Sequence, residues 1–137
     1  MIGTVEKRLE LPAAPERVWR AITAGEELSR WFPDRVDGGD LVVGADGGWV
    51  WENHGRYAFR VEVMEPPTRL VWRWAREPDT ALEDAATTTV EWLLEPGADG
   101  GTTVRLRESG FLRPEDRSEN DAGWDAELGE LQALLAD

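Results

Sequence analysis

The sequence predicts an α+β fold in which an antiparallel sheet is covered on one face by a long C-terminal helix. Three observations lead there. Between residues 41 and 109, apolar and polar side chains alternate with the period of two expected of strands, interrupted by turns rich in Gly and Pro. From Trp124 the spacing becomes helical, with Leu128, Leu131 and Leu135 following at i+4, i+7 and i+11 and Leu134 beside them. Only two other helical patterns stand out, both short and both directly after the first strand. Half-buried strands need a cover, and the terminal helix is the element long enough to supply it.

In chain order, Thr4–Leu11 reads as a strand with Val5, Leu9 and Leu11 on one face and Glu6, Arg8 and Glu10 on the other. Lys7 is the exception on the apolar side. Pro12 ends the strand, and Pro15 suits the first position of a helix whose apolar stripe is Val18, Trp19 and Ile22. Gly25 is expected to stop that helix, and a second one over Glu26–Phe32 groups Leu28, Trp31 and Phe32 before Pro33. Leu41–Val43 reads as a short strand and Asp46-Gly47-Gly48 as a turn leading into a strand over Trp49–Asn53. After the Asn53-His54-Gly55 turn, Arg56–Glu65 places Tyr57, Phe59, Val61 and Val63 opposite Arg60, Glu62 and Met64. Pro66-Pro67 breaks the chain before Arg69–Ala75, where Leu70, Trp72 and Trp74 share a face. Glu77–Ala86 is acidic and reads as a loop. Thr87–Glu95 and Thr102–Ser109 form the last hairpin around Asp99-Gly100-Gly101, with Val90, Trp92, Leu94, Val104 and Leu106 inward. Arg113–Asn120 fits either a loop or the first helical turn.

Composition narrows the function classes. The 137 residues suit one domain, 1–137, with a core that needs no disulfide or metal, and there is no cysteine for thiolate chemistry or Cys-ligated zinc. A net charge of −13 argues against nucleic acid or an anionic membrane as partner. No apolar run reaches the length of a membrane span, and Met1–Thr4 leads into a strand pattern rather than a signal peptide, so a cytoplasmic location is expected. One histidine and no calcium-loop pattern leave no metal site to expect, and no motif asks for a cofactor. The Asp-Gly-Gly strings at Asp37, Asp46 and Asp99 lack the Lys-Ser or Lys-Thr of a phosphate loop and read as turns. No serine lies in a Gly-x-Ser-x-Gly context. The acid run Glu115, Asp116, Glu119 and Asp121 reads as the solvated start of the last helix.

Several strings in this order resemble the START-like (SRPBCC, helix-grip) superfamily, and within it the activator of Hsp90 ATPase homologue 1-like family. They are Pro15-Glu16-Arg17-Val18-Trp19-Arg20-Ala21-Ile22, Trp31-Phe32-Pro33, the paired strands from Gly55 through Trp74, Glu108-Ser109-Gly110-Phe111 and Gly123-Trp124. The resemblance spans nearly the whole chain. It implies a helix-grip architecture, a curved antiparallel sheet wrapped around the C-terminal helix, with a cleft between sheet and helix. Relatives of this fold include lipid carriers, hormone receptors and polyketide cyclases, so the fold does not fix the activity. In the eukaryotic Hsp90 co-chaperone the resembling domain is only the C-terminal part.

The inward aromatics either fill a core or line that cleft, and the resemblance favours the cleft. The expected ligand-binding residues are therefore Trp49, Trp51, Tyr57, Phe59, Trp72, Trp74, Trp92, Glu108 and Trp124. Flat rings with single N–H or O–H donors suit a small hydrophobic or aromatic molecule. Strand parity turns Glu108 inward with Val104 and Leu106, where burial raises a carboxyl pKa and suits it to proton transfer, unless a bulge turns it to solvent or an arginine pairs with it. His54 sits in a turn, a position more typical of a solvated side chain than of a base. The leading expectation is a binding protein without assigned catalysis. The first alternative is a polyketide cyclase or dehydratase-like enzyme using Glu108 or Tyr57 to move protons. The second is a module that interacts with an Hsp90-type chaperone, for which the acidic composition offers little support. Monomer and homodimer both remain open.

Overall fold

The computed structural model describes residues 3–136. Met1 and Ile2, read above as leading into the first strand, lie outside them. Strand β1 (Val5–Leu11) is followed by helices α1 (Pro15–Thr23) and α2 (Gly25–Trp31). The chain then runs through β2 (Arg35–Asp37), β3 (Asp46–Trp51), β4 (Gly55–Glu65), β5 (Arg69–Ala75), β6 (Thr87–Pro96) and β7 (Thr102–Ser109), and closes with α3 (Pro114–Leu134). The seven strands form one sheet in the order β1-β7-β6-β5-β4-β3-β2, each pair antiparallel. β1 therefore pairs with the last strand, and α1 and α2 carry the chain across to the far edge. The curved sheet and its terminal helix are the helix-grip arrangement.

Alternation holds along β6 and β7, where Val90, Trp92, Leu94, Val104 and Leu106 are buried and Arg105 and Arg107 are exposed. On the helix side, α3 buries Trp124, Leu128 and Leu131, with Leu135 just past its end. Lys7, the charge on the apolar face of β1, meets α3: its Nζ lies 2.5 Å from Asp121 and 2.8 Å from Asp125. Burial disfavours the ammonium, yet the two carboxylates outweigh this and hold its pKa above the ordinary lysine value. The hydrogen bond from Lys7 keeps Asp121 below the usual carboxylate range.

Four local expectations change. Leu41–Val43 is not a strand: Leu41 is buried and its N–H reaches the Thr23 carbonyl at 2.8 Å, while Val42 and Val43 face solvent. The edge strand is Arg35–Asp37 instead, because Gly38, Gly39 and Gly44 take positive φ and break extended pairing on either side of Leu41. Asp46-Gly47-Gly48 is the start of β3 rather than a turn. Its glycines admit close neighbours, since a Cβ on Gly47 would fall 2.5 Å from the Phe59 ring and one on Gly48 would strike the Arg56 side chain. A bulge between Val61 and Val63 reverses parity in β4, so Met64 packs on the core opposite Leu70 and Val63 turns outward. Finally, Gly25 opens α2 rather than merely stopping α1. Ala24 caps both helices, and the Gly25 N–H bonds Asp40 at 2.9 Å.

Arg113–Asn120 resolves into helix from Pro114 onward, with acid in the first turn as the helix dipole favours. The acidic segment 77–86 folds back over the outer face of the sheet, where Leu82 packs with Ala58, Ala75 and Ala85.

Candidate functional site

Most of the aromatic side chains form one packed body. Trp49 of β3 stacks on Phe59 of β4 with centroids 4.0 Å apart, and Trp72 of β5 lies 4.9 Å from Trp49 and 6.0 Å from Trp92 of β6. Phe32, at the end of α2, occupies the middle. Its ring lies 5.1 Å from Trp49, 5.9 Å from both Trp72 and Trp74, and stacks on Trp124 at 5.4 Å. Trp49, Trp72 and Trp92 are fully buried, and their indole N–H groups find no acceptor among the described residues.

The rings stop filling the space at one end. A cleft of about 540 Å³ opens between the ends of β3, β4 and β5 and the first half of α3, lined by Trp51, Tyr57 and Trp74 from the sheet and by Asn120, Gly123 and Glu127 from the helix. His54, Ala75, Arg76 and Glu119 complete its rim. A recess of about 100 Å³ continues inward to Phe32 and Trp124. The elements explain these positions. Strand parity brings Tyr57 and Trp74 to the inner face at the same end of the sheet, next to the last residue of β3. On α3, Asn120, Gly123 and Glu127 follow at helical spacing and face them. Gly123 keeps the space open, since a Cβ there would meet no atom within 4 Å.

Beneath this cleft lies Glu108, fully buried. Its Oε2 accepts from Trp74 Nε1 at 2.8 Å and Thr88 Oγ1 at 2.5 Å, and its Oε1 accepts from Trp124 Nε1 and Asn120 Nδ2, both at 2.8 Å. A carboxylate offers about four acceptor sites, and all are taken. Among the described residues no arginine pairs with it; its partners are Trp74, Thr88, Asn120 and Trp124. The side chain thus ties β5, β6 and α3 together and fixes three residues of the wall, Trp74, Asn120 and Trp124.

Glu127 contrasts with it. Among the described residues no hydrogen bond or ion pair reaches its carboxylate, although the side chain is half-buried. Burial first, then the nearby Glu130 charge, pushes its carboxyl up to about 7.

Of the residues expected from sequence, the structure therefore places Trp51, Tyr57 and Trp74 on the cleft, Trp124 on its inner recess and Glu108 under its floor. Trp49, Trp72 and Trp92 lie in the packed interior, and Phe59 lines a small hollow near Gly38 rather than the cleft. His54 is exposed at the rim. Phe32, Asn120, Gly123 and Glu127 were not anticipated. A glycine inside an otherwise helical run, with polar residues three before and four after it, was the available signal. Among the described residues no helix is long and apolar enough to cross a membrane, and no group of three His, Cys, Asp or Glu side chains could hold a metal ion.

Comparison with known proteins adds the family. The family described as activator of Hsp90 ATPase homolog 1-like protein matches residues 12–136. Among solved structures, DynU16, a protein in the dynemicin biosynthetic locus, is 26% identical with a TM-score of 0.81. That match covers 97% of this chain but 47% of DynU16, so the chain spans about half the length of that relative. Protein MLL2253 from Mesorhizobium loti is 27% identical with a TM-score of 0.82, over 98% of this chain and 97% of that one. The Aha1 dimer from Colwellia psychrerythraea shares the fold at 22% identity and a TM-score of 0.82, over 97% of this chain and 96% of that one. No curated protein matches.

Proposed function

The chain belongs to the activator of Hsp90 ATPase homolog 1-like family, and we propose that it binds a small hydrophobic or aromatic molecule in the cleft between sheet and C-terminal helix. The observation that carries this reading is the cleft itself, about 540 Å³ with three aromatic side chains on one wall and a helical glycine opposite. That volume is in the range of small-molecule sites, and aromatic walls with a few fixed polar groups are what such sites use. Glu108 acts as a positioning residue, since it holds Trp74, Trp124 and Asn120 in place without touching the hollow. The packed rings around Phe32 form the inner end of the site and give it a rigid floor.

Intrinsic tryptophan fluorescence against fatty acids, sterols, flavonoids and polyketide-like aromatics tests this, with Trp51 and Trp74 as reporters. Saturable quenching is expected with at least one class, and Gly123→Phe, which fills the cleft from an exposed helix position, should abolish it. A flat response to every class, with cationic amphiphiles included in the panel, or quenching that survives Gly123→Phe, overturns the reading.

A catalytic use of the same cleft rests on Glu127, a half-buried carboxyl near 7 and so able both to give and to take a proton at neutral pH. Product analysis separates the two. A ligand recovered unchanged after long incubation marks a binding protein, whereas conversion that disappears in Glu127→Gln marks an enzyme.

A further inference from the structure

Three side chains on the sheet side of the cleft converge in an arrangement that apolar binding alone does not require. Trp51 and Tyr57 meet edge to face at 5.5 Å, and Trp74 lies 6.3 Å from the first and 6.5 Å from the second. The rings are set at 81°, 48° and 52° to one another, and all three line the cleft. Across that space stands Glu127, and Glu119 lies at the rim. Neither carboxylate has a hydrogen-bond or ion-pair partner among the described residues, in a protein where most charged strand residues are paired. Arg76 also lines the cleft; its guanidinium lies over the Phe111 ring, 5.5 Å from the centroid, and 3.7 Å from Asp116, which offsets its charge.

We propose that the cleft recognises a cationic head, an alkylated ammonium group carried on the hydrophobic ligand, with Trp51, Tyr57 and Trp74 as its aromatic wall and Glu127 as its counter-ion. This rests on the binding reading above and narrows its ligand class. An ammonium within about 6 Å of a ring centroid is attracted by the negative face of the π system, and the attraction grows when water is displaced. Methylated ammonium suits such a site better than a free amine, because it gives up less hydration and asks for no directional hydrogen-bond acceptors. Glu127 then gains the partner it lacks, and the net charge of −13 favours the approach of a cation.

The direct probe is choline set against its neutral carbon isostere, 3,3-dimethylbutan-1-ol, which differs in charge but hardly in shape. Binding is followed by tryptophan fluorescence and checked by calorimetry. Choline is expected to bind at least tenfold more tightly than the alcohol, and Trp51→Leu and Glu127→Gln should each remove most of that preference. Choline keeps its charge at every pH, so pH acts only through the protein. Its affinity should rise several-fold between pH 6 and pH 8 as Glu127 ionises, and this slope should vanish in Glu127→Gln. The other charged or titratable groups facing Glu127 are Glu119 and Glu130 on α3, His54 before β4, Tyr57 on β4 and Arg76 after β5. A slope that persists in Glu127→Gln belongs to one of these and overturns the assignment. Equal binding of choline and the alcohol, or silence with choline beside saturation by a neutral member of the hydrophobic panel, overturns the cationic head while the binding reading stands. No response to either probe or to the panel removes both.

Discussion

Trp72 and Trp74 stand two residues apart on the same face of β5, yet they belong to different regions. Trp72 is sealed among Trp49, Phe32 and Trp92, and its indole N–H has no acceptor among the described residues. Trp74 reaches the open cleft, and its N–H is held by Glu108 at 2.8 Å. The rings are the same and so is the strand. What differs is the neighbourhood: Trp49 and Trp92 close in on Trp72, whereas Asn120 and Gly123 border the open space beside Trp74. The closed end tolerates buried donors without partners, each costing about 1–3 kcal/mol, where dense apolar contact offsets the loss. The open end satisfies the indole donors of Trp74 and Trp124 and leaves room.

The largest effect should come from breaking the closed end. Leu128 is buried under the sheet, and Leu128→Asp places a charge there without a partner. The protein should fail to fold, or melt far below the parent in a circular dichroism scan. A variant with an unchanged melting temperature would mean that the helix does not close the sheet.

Trp92 and Trp124 form a matched pair, one in each region. Trp92→Phe and Trp124→Phe remove the same atoms from two buried rings. At Trp92 the lost N–H had no acceptor, so the cost is mainly packing, about 1–2 kcal/mol. At Trp124 the lost N–H leaves an Oε1 lone pair of buried Glu108 unfilled, which adds about 1–3 kcal/mol. Urea unfolding should rank Trp124→Phe below Trp92→Phe. The reverse order would show that the Glu108 network contributes little to stability.

The two regions were unequally legible in the sequence. Alternation in β5, β6 and β7 and the leucine spacing in α3 are repetitive signals, so the closed end could be read directly. Even Glu108 was readable, because no bulge intervenes between Val104 and Glu108 and parity carries its side chain inside. The errors fell where one residue changes the rule. The β4 bulge turned Val63 out and Met64 in, and Gly47 and Gly48 were chosen for the neighbours they admit rather than for a turn. The boundary between packed core and cleft was hidden for another reason. It depends on Phe32 crossing from α2 to fill the middle, a contact between distant segments that no local pattern records. Nor does parity separate Trp72 from Trp74, since both point inward.

Glu127 belongs to the open end, and pH tests it. Its carboxyl is raised to about 7 in the folded protein from an ordinary value of 4.5. Between those values the folded state binds more protons than the unfolded state, so this group's contribution to stability falls as pH rises. It is fully present below about 4.5 and lost once pH passes about 7. Glu127→Gln removes the titration and should be more stable than the parent at pH 8, by roughly 1 kcal/mol after allowing for partial solvation of the carboxylate. The gap should close toward pH 5. Chemical denaturation at the two pH values reads it directly, and a constant difference would show that Glu127 is solvated like an ordinary surface acid.

The smallest effect concerns the glycine that keeps the cleft open. Gly123 and Gly129 both lie within α3, and a Cβ at either would meet no neighbour within 4 Å. Glycine in a helix interior costs about 0.5–1 kcal/mol relative to alanine, so Gly123→Ala and Gly129→Ala should stabilise the protein by similar amounts. Their effects on binding should differ. Gly129 lines neither the cleft nor its recess, whereas Gly123 borders both. A methyl group at Gly123 should therefore weaken ligand binding a few-fold while the same change at Gly129 leaves it untouched. Equal binding in the two variants would place the ligand away from α3, against the sheet alone. Helix propensity would then be sacrificed at Gly123 without any gain in the access that the open end offers.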